Sequence, residues 1–278
     1  MRDGSADQSL QSSMPISEAR FHRLAKAIES NVIPRLLMAY RASEPSRSGV
    51  PCTDWHAAPD HVARLTETVL AGDVDAAMEF VHALRGEGAG IESLFLEVLA
   101  PTAHRLGDLW EQDRVDFTQV TSAMGQLTLV IRRLSRRALG EDPVRSDDRR
   151  ALMASPPSEQ HSFGLLMVSE FLRMTGWHVA CCPALSRRSL IDTVRDDWFL
   201  VAGFSISGEG NLDWLVSSIS ALRRASRNTG IGVMVGGKYF LEHPDQVSQV
   251  GADFMAHNGR EAVSLAEDFL KGSQARFH

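Results

Sequence analysis

Cysteine is scarce in this chain, with three in 278 residues: Cys52 and the neighbouring pair Cys181 and Cys182. Adjacent cysteines rarely bridge each other, so this supply excludes a disulfide framework and fits a reducing compartment. Long apolar runs are also missing, and none approaches the roughly 20 residues that a membrane-crossing helix needs. The start, MRDGSADQSLQSSMP, lacks the basic opening and apolar core of a signal peptide, which sets the expectation of a cytoplasmic protein. There is no excess of basic residues: 29 Lys and Arg against 35 Asp and Glu give a formal net charge of −6, which argues against a nucleic-acid binder over the whole surface. The one basic stripe, RRLSRR at 132–137, reads first as the dipole-compensating end of a helix and only second as a DNA contact. Catalytic signatures are absent as well. No Ser/His/Asp or HExxH pattern stands out, and GEGNLD at 208–213 lacks the lysine and hydroxyl of a phosphate-binding loop.

What is present is a globular composition, 44% hydrophobic and 23% charged, with length enough for two modest domains. Residues 1–16 are polar and expected to be disordered. Residues 17–59 hold an amphipathic segment, with Phe21, Leu24, Ile28 and Val32 on one stripe before Pro34, and then a Ser/Pro/Gly-rich linker. Residues 60–140 read as four amphipathic helices with short connections, which suggests an antiparallel bundle. DVDAAMEFVHALRGEG shows the pattern, opening on an acidic cap and closing on Gly86 and Gly88. A charged linker, 141–149, follows. From 150 to 272 five apolar runs, ALMAS, HVACC, FLVAGFSIS, IGVMVGG and DFMAH, alternate with helical segments starting near Ser162, Ser189, Asn211, Phe240 and Gly259. Alternation of this kind predicts a flavodoxin-like or Rossmann-like parallel sheet wrapped by helices. Cys181 and Cys182 fall in the second run and are expected to fill core.

In such a sheet ligands bind beyond the carboxyl ends of the strands, and three features fall on that edge. His161 follows the first strand, Ser205 ends the third, and Gly236-Gly237 ends the fourth. Alone, His161 reads as a capping or surface histidine, or as a metal ligand. Glu159 favours the second reading, because a ligating imidazole commonly gives its other ring proton to a carboxylate. Gly164 allows close backbone approach or tight helix packing. His82, His104 and His178 read as structural histidines on helical or strand surfaces, and one of them, or His22, is the alternative source of an upper ligand.

Together these residues resemble the cobalamin-binding fold, whose fingerprint is D-x-H-x-x-G, S-x-L and G-G. Here it stands as Glu159-x-His161-x-x-Gly164, Ser205-x-Ser207 and Gly236-Gly237, within about residues 149–272. The resemblance implies that His161 replaces the cofactor's own dimethylbenzimidazole as the lower ligand of cobalt. It further implies that Ser205 hydrogen-bonds the displaced nucleotide tail and that Gly236-Gly237 leave room for it. Glu159 stands where the family has aspartate, a longer and looser tether to the imidazole. Ser207 stands where it has leucine, which is expected to make the tail slot more polar. Residues 99–121, LAPTAHRLGDLWEQDRVDFTQVT, resemble the helical cap that precedes this fold, in which Trp110 would cover the upper face of the corrin. Without the resemblance Trp110 reads equally as a bundle-core residue.

In CarH-type photoreceptors a Glu-His pair follows that tryptophan, whereas here the positions are Val120 and Thr121. The arrangement Asp113, Arg114, Phe117, Val120, Thr121 is similar to the AerR/PpaA group of cobalamin-binding regulators, as are residues 25–41 and EQHSFG. Phe117, Val120 and Thr121 thereby join the candidate cofactor-binding residues. That resemblance implies a light-responsive antirepressor that binds adenosylcobalamin or hydroxocobalamin and acts on a CrtJ/PpsR-type repressor of photosynthesis genes. DNA contact would then be indirect, through the repressor. Two alternatives stay open: the corrinoid carrier of a cobalamin-dependent methyltransferase, and a haem-binding redox sensor on the same scaffold, since His161 suits either metal. The segment 17–42 is a candidate partner-binding helix or packs on the bundle.

Overall fold

The computed structural model describes residues 55–138 and 148–274, which belong to one compact unit. The expected disordered start, the amphipathic segment and most of the 141–149 linker lie outside the described residues.

The helical part opens with α1, Pro59–Leu70, and α2, Val74–Gly86. Asp73 caps α2 as expected, its carboxylate accepting from the backbone N–H groups of Asp75 (3.1 Å) and Ala76 (2.9 Å). The third helix, α3, is continuous but not uniform. An α-turn at Ile91–Ser93 widens into a π-helical stretch, Leu94–Leu99, and narrows again over Ala100–Glu111. Pro101 explains the widening: it has no N–H to give and its ring collides with an ordinary preceding turn, so a π-stretch lets the helix pass through proline unbroken. The last helix of the bundle, α4, is Phe117–Ala138. The four helices close around Leu65, Val81, Phe95, Val98, Leu127 and Ile131, all fully buried. Each such side chain contributes about 1.5–3 kcal/mol on leaving water.

Five parallel strands form one sheet in the order β2-β1-β3-β4-β5. They are β1 Arg150–Ala154, β2 His178–Cys182, β3 Val201–Ser205, β4 Gly232–Gly236 and β5 Phe254–Met255. The intervening helices are α5 Phe163–Met174, α6 Arg187–Asp196, α7 Leu212–Ala225, α8 Lys238–Glu242, α9 Gln246–Gln249 and α10 Gly259–Gln274. The helix expected near Phe240 is thus two short pieces, because Pro244 falls between them. Alternate residues serve opposite faces: Leu152, Ala202, Phe204, Val233 and Val235 pack on one side, Ala151, Met153, Val201 and Met234 on the other. Cys181 and Cys182 correct an expectation. β2 is an edge strand, so both side chains are only partly buried, one against each face of the sheet. Burial, and then the Cys181 thiol, push the Cys182 thiol up and make it a poor nucleophile.

α5 joins the two parts. Leu165 and Leu172 belong to the sheet's core, while Met167 and Phe171 belong to the core of the bundle, where Phe171 meets Phe95 edge-on at 5.4 Å between ring centres. His161 stands two residues before this helix begins. The chain segment that carries the candidate ligand is therefore fixed to both parts.

Candidate functional site

In the strand order 2-1-3-4-5 the connections diverge between β1 and β3, and the loops that leave these two strands form the crevice where such sheets take ligands. The first loop runs from Ser155 to Ser162. Its base is pinned by Ser155, fully buried, whose hydroxyl accepts from Ala184 N–H (3.1 Å) and whose carbonyl accepts from Leu185 N–H (2.9 Å). Pro156 and Pro157 limit its freedom, and Glu159 N–H closes a turn onto the Pro156 carbonyl (3.1 Å). The loop thereby turns the Glu159 side chain inward, where it is 1% exposed, and the His161 side chain outward, where it is 74% exposed.

Glu159 collects donors from both loops. Its Oε1 accepts from His161 N–H (2.9 Å) and from the Ser207 hydroxyl (2.7 Å), and lies 3.1 Å from His161 Nδ1. Its Oε2 accepts from Ser207 N–H (2.8 Å) and from Asn211 Nδ2 (3.1 Å). Burial by itself drives this carboxyl upward, but the hydrogen bonds from His161 and Ser207 outweigh it and hold the group below the ordinary carboxylate range. The glutamate reaches the imidazole, so the longer side chain has not cost the contact. Its extra length crosses to the β3 loop, and the two loops become one unit.

Ser207 faces the ligand pair. Its hydroxyl is committed to Glu159 and stands 3.0 Å from His161 Nδ1, beside the imidazole. Asn211 and Ser158 extend the network, with the Ser158 hydroxyl on Asn211 Oδ1 at 2.6 Å. Neither was singled out in the sequence, where Asn211 reads only as part of a helix cap. The usable signal was the position of GEGN, directly beyond the third strand.

The glycines divide in their reasons. Gly164, in the first turn of α5, has nothing within 4 Å of where a β-carbon would stand, so open approach and not tight helix packing describes it. Gly237 has φ +96°, and a β-carbon there would run into the Ile206 carbonyl. At Gly236 a β-carbon would come within 3.0 Å of the Ala256 carbonyl. Gly237 is thus required by the chain's own backbone before any ligand is considered, and Gly236 sits tight against its neighbour. Ser205 is half-buried and makes no side-chain hydrogen bond among the described residues, which leaves its hydroxyl for a ligand.

On the bundle side, Trp110 lies in the last turn of α3 and is 46% exposed, which removes the bundle-core reading. The turn after it is tight: Asp113 takes φ +55°, and Arg114 N–H bonds the Leu109 carbonyl (2.9 Å). Asp116 and Gln119 then cap α4 reciprocally, each backbone N–H on the other's side chain at 2.8 Å. Phe117, 71% exposed, and Thr121, also exposed, follow on α4, whereas Val120 packs partly against the bundle core. No hydrogen bond or ring contact joins Trp110 or Phe117 to the Glu159–His161 network among the described residues.

A single imidazole with one nitrogen held by a carboxylate is the donor that a metal already carried in a macrocycle requires. The exposed ring, the open space at Gly164 and the unspent Ser205 hydroxyl fit such a group. Residues 149–266 match a B12 binding domain family, and residues 62–134 match a second family also described as a B12 binding domain. The chain belongs to the B12-binding proteins. Cobalamin is its cofactor, and both the sheet and the helical part carry the match.

This B12-binding protein is 27% identical over 171 residues to an uncharacterized 20.5 kDa protein in the bchF-crtJ intergenic region of Rhodobacter capsulatus, a match covering 60% of this chain and 87% of the relative. The matches bear out the AerR/PpaA-type resemblance as far as a cobalamin-binding protein. In fold it is similar to the monomethylamine corrinoid protein of Methanosarcina barkeri, with TM-score 0.59, 15% identity, and coverage of 76% of this chain and 98% of that one. A cobalamin-binding protein from Desulfitobacterium hafniense DCB-2 superposes less closely, with TM-score 0.41, 16% identity, and coverage of 75% and 98%. No helix among the described residues is long and apolar enough to cross a membrane.

Proposed function

We propose that this protein is not an enzyme but a light-responsive, cobalamin-dependent regulator that acts as an antirepressor, binding a CrtJ/PpsR-type repressor of photosynthesis genes. The observation that carries this reading is the likeness to the Rhodobacter capsulatus protein from the bchF-crtJ intergenic region. The exposed Trp110 and Phe117, on the turn between α3 and α4, support it from the side of the structure.

The chain's own residues have distinct parts in this reading. Glu159 holds His161 Nδ1 and leaves Nε2 for cobalt. Ser205 offers its hydroxyl to the nucleotide tail, and the side-chain-free edge at Gly236-Gly237 bounds the tail's path. Trp110 and Phe117 would hold the cofactor from the side of the bundle. When bound in its adenosyl form, cobalamin would supply a light-sensitive cobalt–carbon bond. Trp110 and Phe117, both exposed on the turn between α3 and α4, would sense a change in what covers them, and the bundle surface around them would be free to rearrange.

The test is binding of the cobalamin-loaded protein to a purified CrtJ/PpsR-type repressor, in the dark and after illumination. The reading expects a complex whose affinity changes with light. Absence of any complex in both states would remove it. A second reading, a corrinoid carrier for a methyltransferase, is favoured by the superposition on the Methanosarcina barkeri corrinoid protein. It expects methyl transfer with a partner enzyme and no response to light.

A further inference from the structure

Ser207 occupies the position where the family pattern has an apolar residue, yet its hydroxyl lies within hydrogen-bond distance of both partners in the ligand pair: 2.7 Å from Glu159 Oε1 and 3.0 Å from His161 Nδ1. The direction of each bond can be assigned. Two backbone N–H groups and the Asn211 amide donate to the Glu159 carboxyl, an environment built for an acceptor. The Ser207 hydroxyl therefore donates to Oε1. A hydroxyl has one proton, so toward Nδ1 the same oxygen can only accept. Nδ1 must then carry hydrogen, shared between Glu159 Oε1 at 3.1 Å and Ser207 Oγ at 3.0 Å.

We propose that Ser207 is a positioning residue for His161, a second acceptor that fixes the ring proton on Nδ1 and the ring plane before cobalamin arrives. A histidine free in solution prefers its proton on Nε2, the nitrogen that cobalt needs bare. One acceptor beside Nδ1 corrects the tautomer but lets the exposed ring swing. Two acceptors, one on each loop, hold both the tautomer and the plane. Because the same hydroxyl spends its proton on Glu159, the three groups form a closed arrangement in which removing one loosens the other two. The proposal rests on the cobalamin reading for its purpose but not for its geometry, which concerns the cofactor-free protein.

The experiment compares wild type, Ser207→Ala and Ser207→Thr as full chains without cofactor. Side-chain nitrogen NMR, with His161→Ala to identify the signals, reads the proportion of His161 protonated on Nδ1. Wild type and Ser207→Thr should show the Nδ1–H form. In Ser207→Ala the ratio of Nδ1–H to Nε2–H should fall roughly threefold to tenfold, the worth of one neutral hydrogen bond. Stopped-flow mixing with hydroxocobalamin should show the histidine-ligation phase slowed by a similar factor in Ser207→Ala and restored in Ser207→Thr. An unchanged tautomer ratio in Ser207→Ala overturns the proposal, as does failure of Ser207→Thr to restore it while thermal midpoints stay equal. If wild type takes up no cobalamin, the cofactor reading fails, and the tautomer measurement still decides the role of Ser207.

Discussion

Glu159 and His161 are joined twice: Glu159 Oε1 accepts the His161 backbone N–H at 2.9 Å and lies 3.1 Å from the Nδ1 of the same residue. A carboxylate that is 1% exposed thus governs an imidazole that is 74% exposed. The arrangement separates the two tasks of the site. The buried group organises the loops, and the exposed group is left to meet the cofactor.

Removing the organiser should therefore unsettle the fold without any cofactor present. Glu159→Ala strips five hydrogen bonds and is expected to cost about 2–4 kcal/mol in urea unfolding of the cofactor-free protein. The folded-state value of Glu159 lies below its ordinary 4.5, so its contribution is fully present above pH 4.5 and is lost as pH falls through the lowered folded value. Glu97, lowered first by the Ala57 N–H, and Glu261, lowered first by the His257 N–H, act in the same direction. The difference between wild type and Glu159→Gln isolates the Glu159 share. Thermal midpoints should converge below pH 4.5 and separate above it; parallel curves would contradict this.

The two kinds of glycine give opposite expectations. Gly237→Ala forces a side chain into a left-handed backbone and against the Ile206 carbonyl, at a cost of about 1–3 kcal/mol in thermal or chemical unfolding. Gly164→Ala meets open space and should leave stability within about 0.5 kcal/mol. Its effect should appear in cobalamin affinity, measured by spectral titration. Equal stability losses at the two positions would show that Gly164 serves packing after all.

Trp110→Ala and Phe117→Ala remove exposed rings, so each should shift cofactor-free stability by no more than about 0.5–1 kcal/mol. Both should change the spectrum of the bound cobalamin or its rate of photolysis. Stability losses of about 3–5 kcal/mol, the range for a buried aromatic, would place these rings in the core instead.

The sheet was legible because its central strands are buried on both faces and so appear as short apolar runs; apart from Arg150, β1 to β5 fall within ALMAS, HVACC, FLVAGFSIS, IGVMVGG and DFMAH. The ligand pair was legible because Glu159 and His161 are neighbours in sequence. The contacts of Ser207 and Asn211 with the ligand pair were not legible, for a common reason. Their roles come from a loop 46 to 52 residues away that only the parallel pairing of β1 and β3 brings alongside, and local pattern does not say which way a loop side chain turns. Cys181 and Cys182 were misread because an apolar run does not distinguish an edge strand from a central one.

The central claim is that His161 is the protein's ligand to cobalt, and the most direct test is spectroscopic. Wild type and His161→Ala are mixed with hydroxocobalamin and with adenosylcobalamin in the dark, freed of excess, and recorded before and after illumination. Wild type should stay coloured with the spectrum of cobalamin whose dimethylbenzimidazole has been replaced by histidine, and His161→Ala should lose that spectrum. A colourless wild type, or a variant indistinguishable from it, would contradict the account.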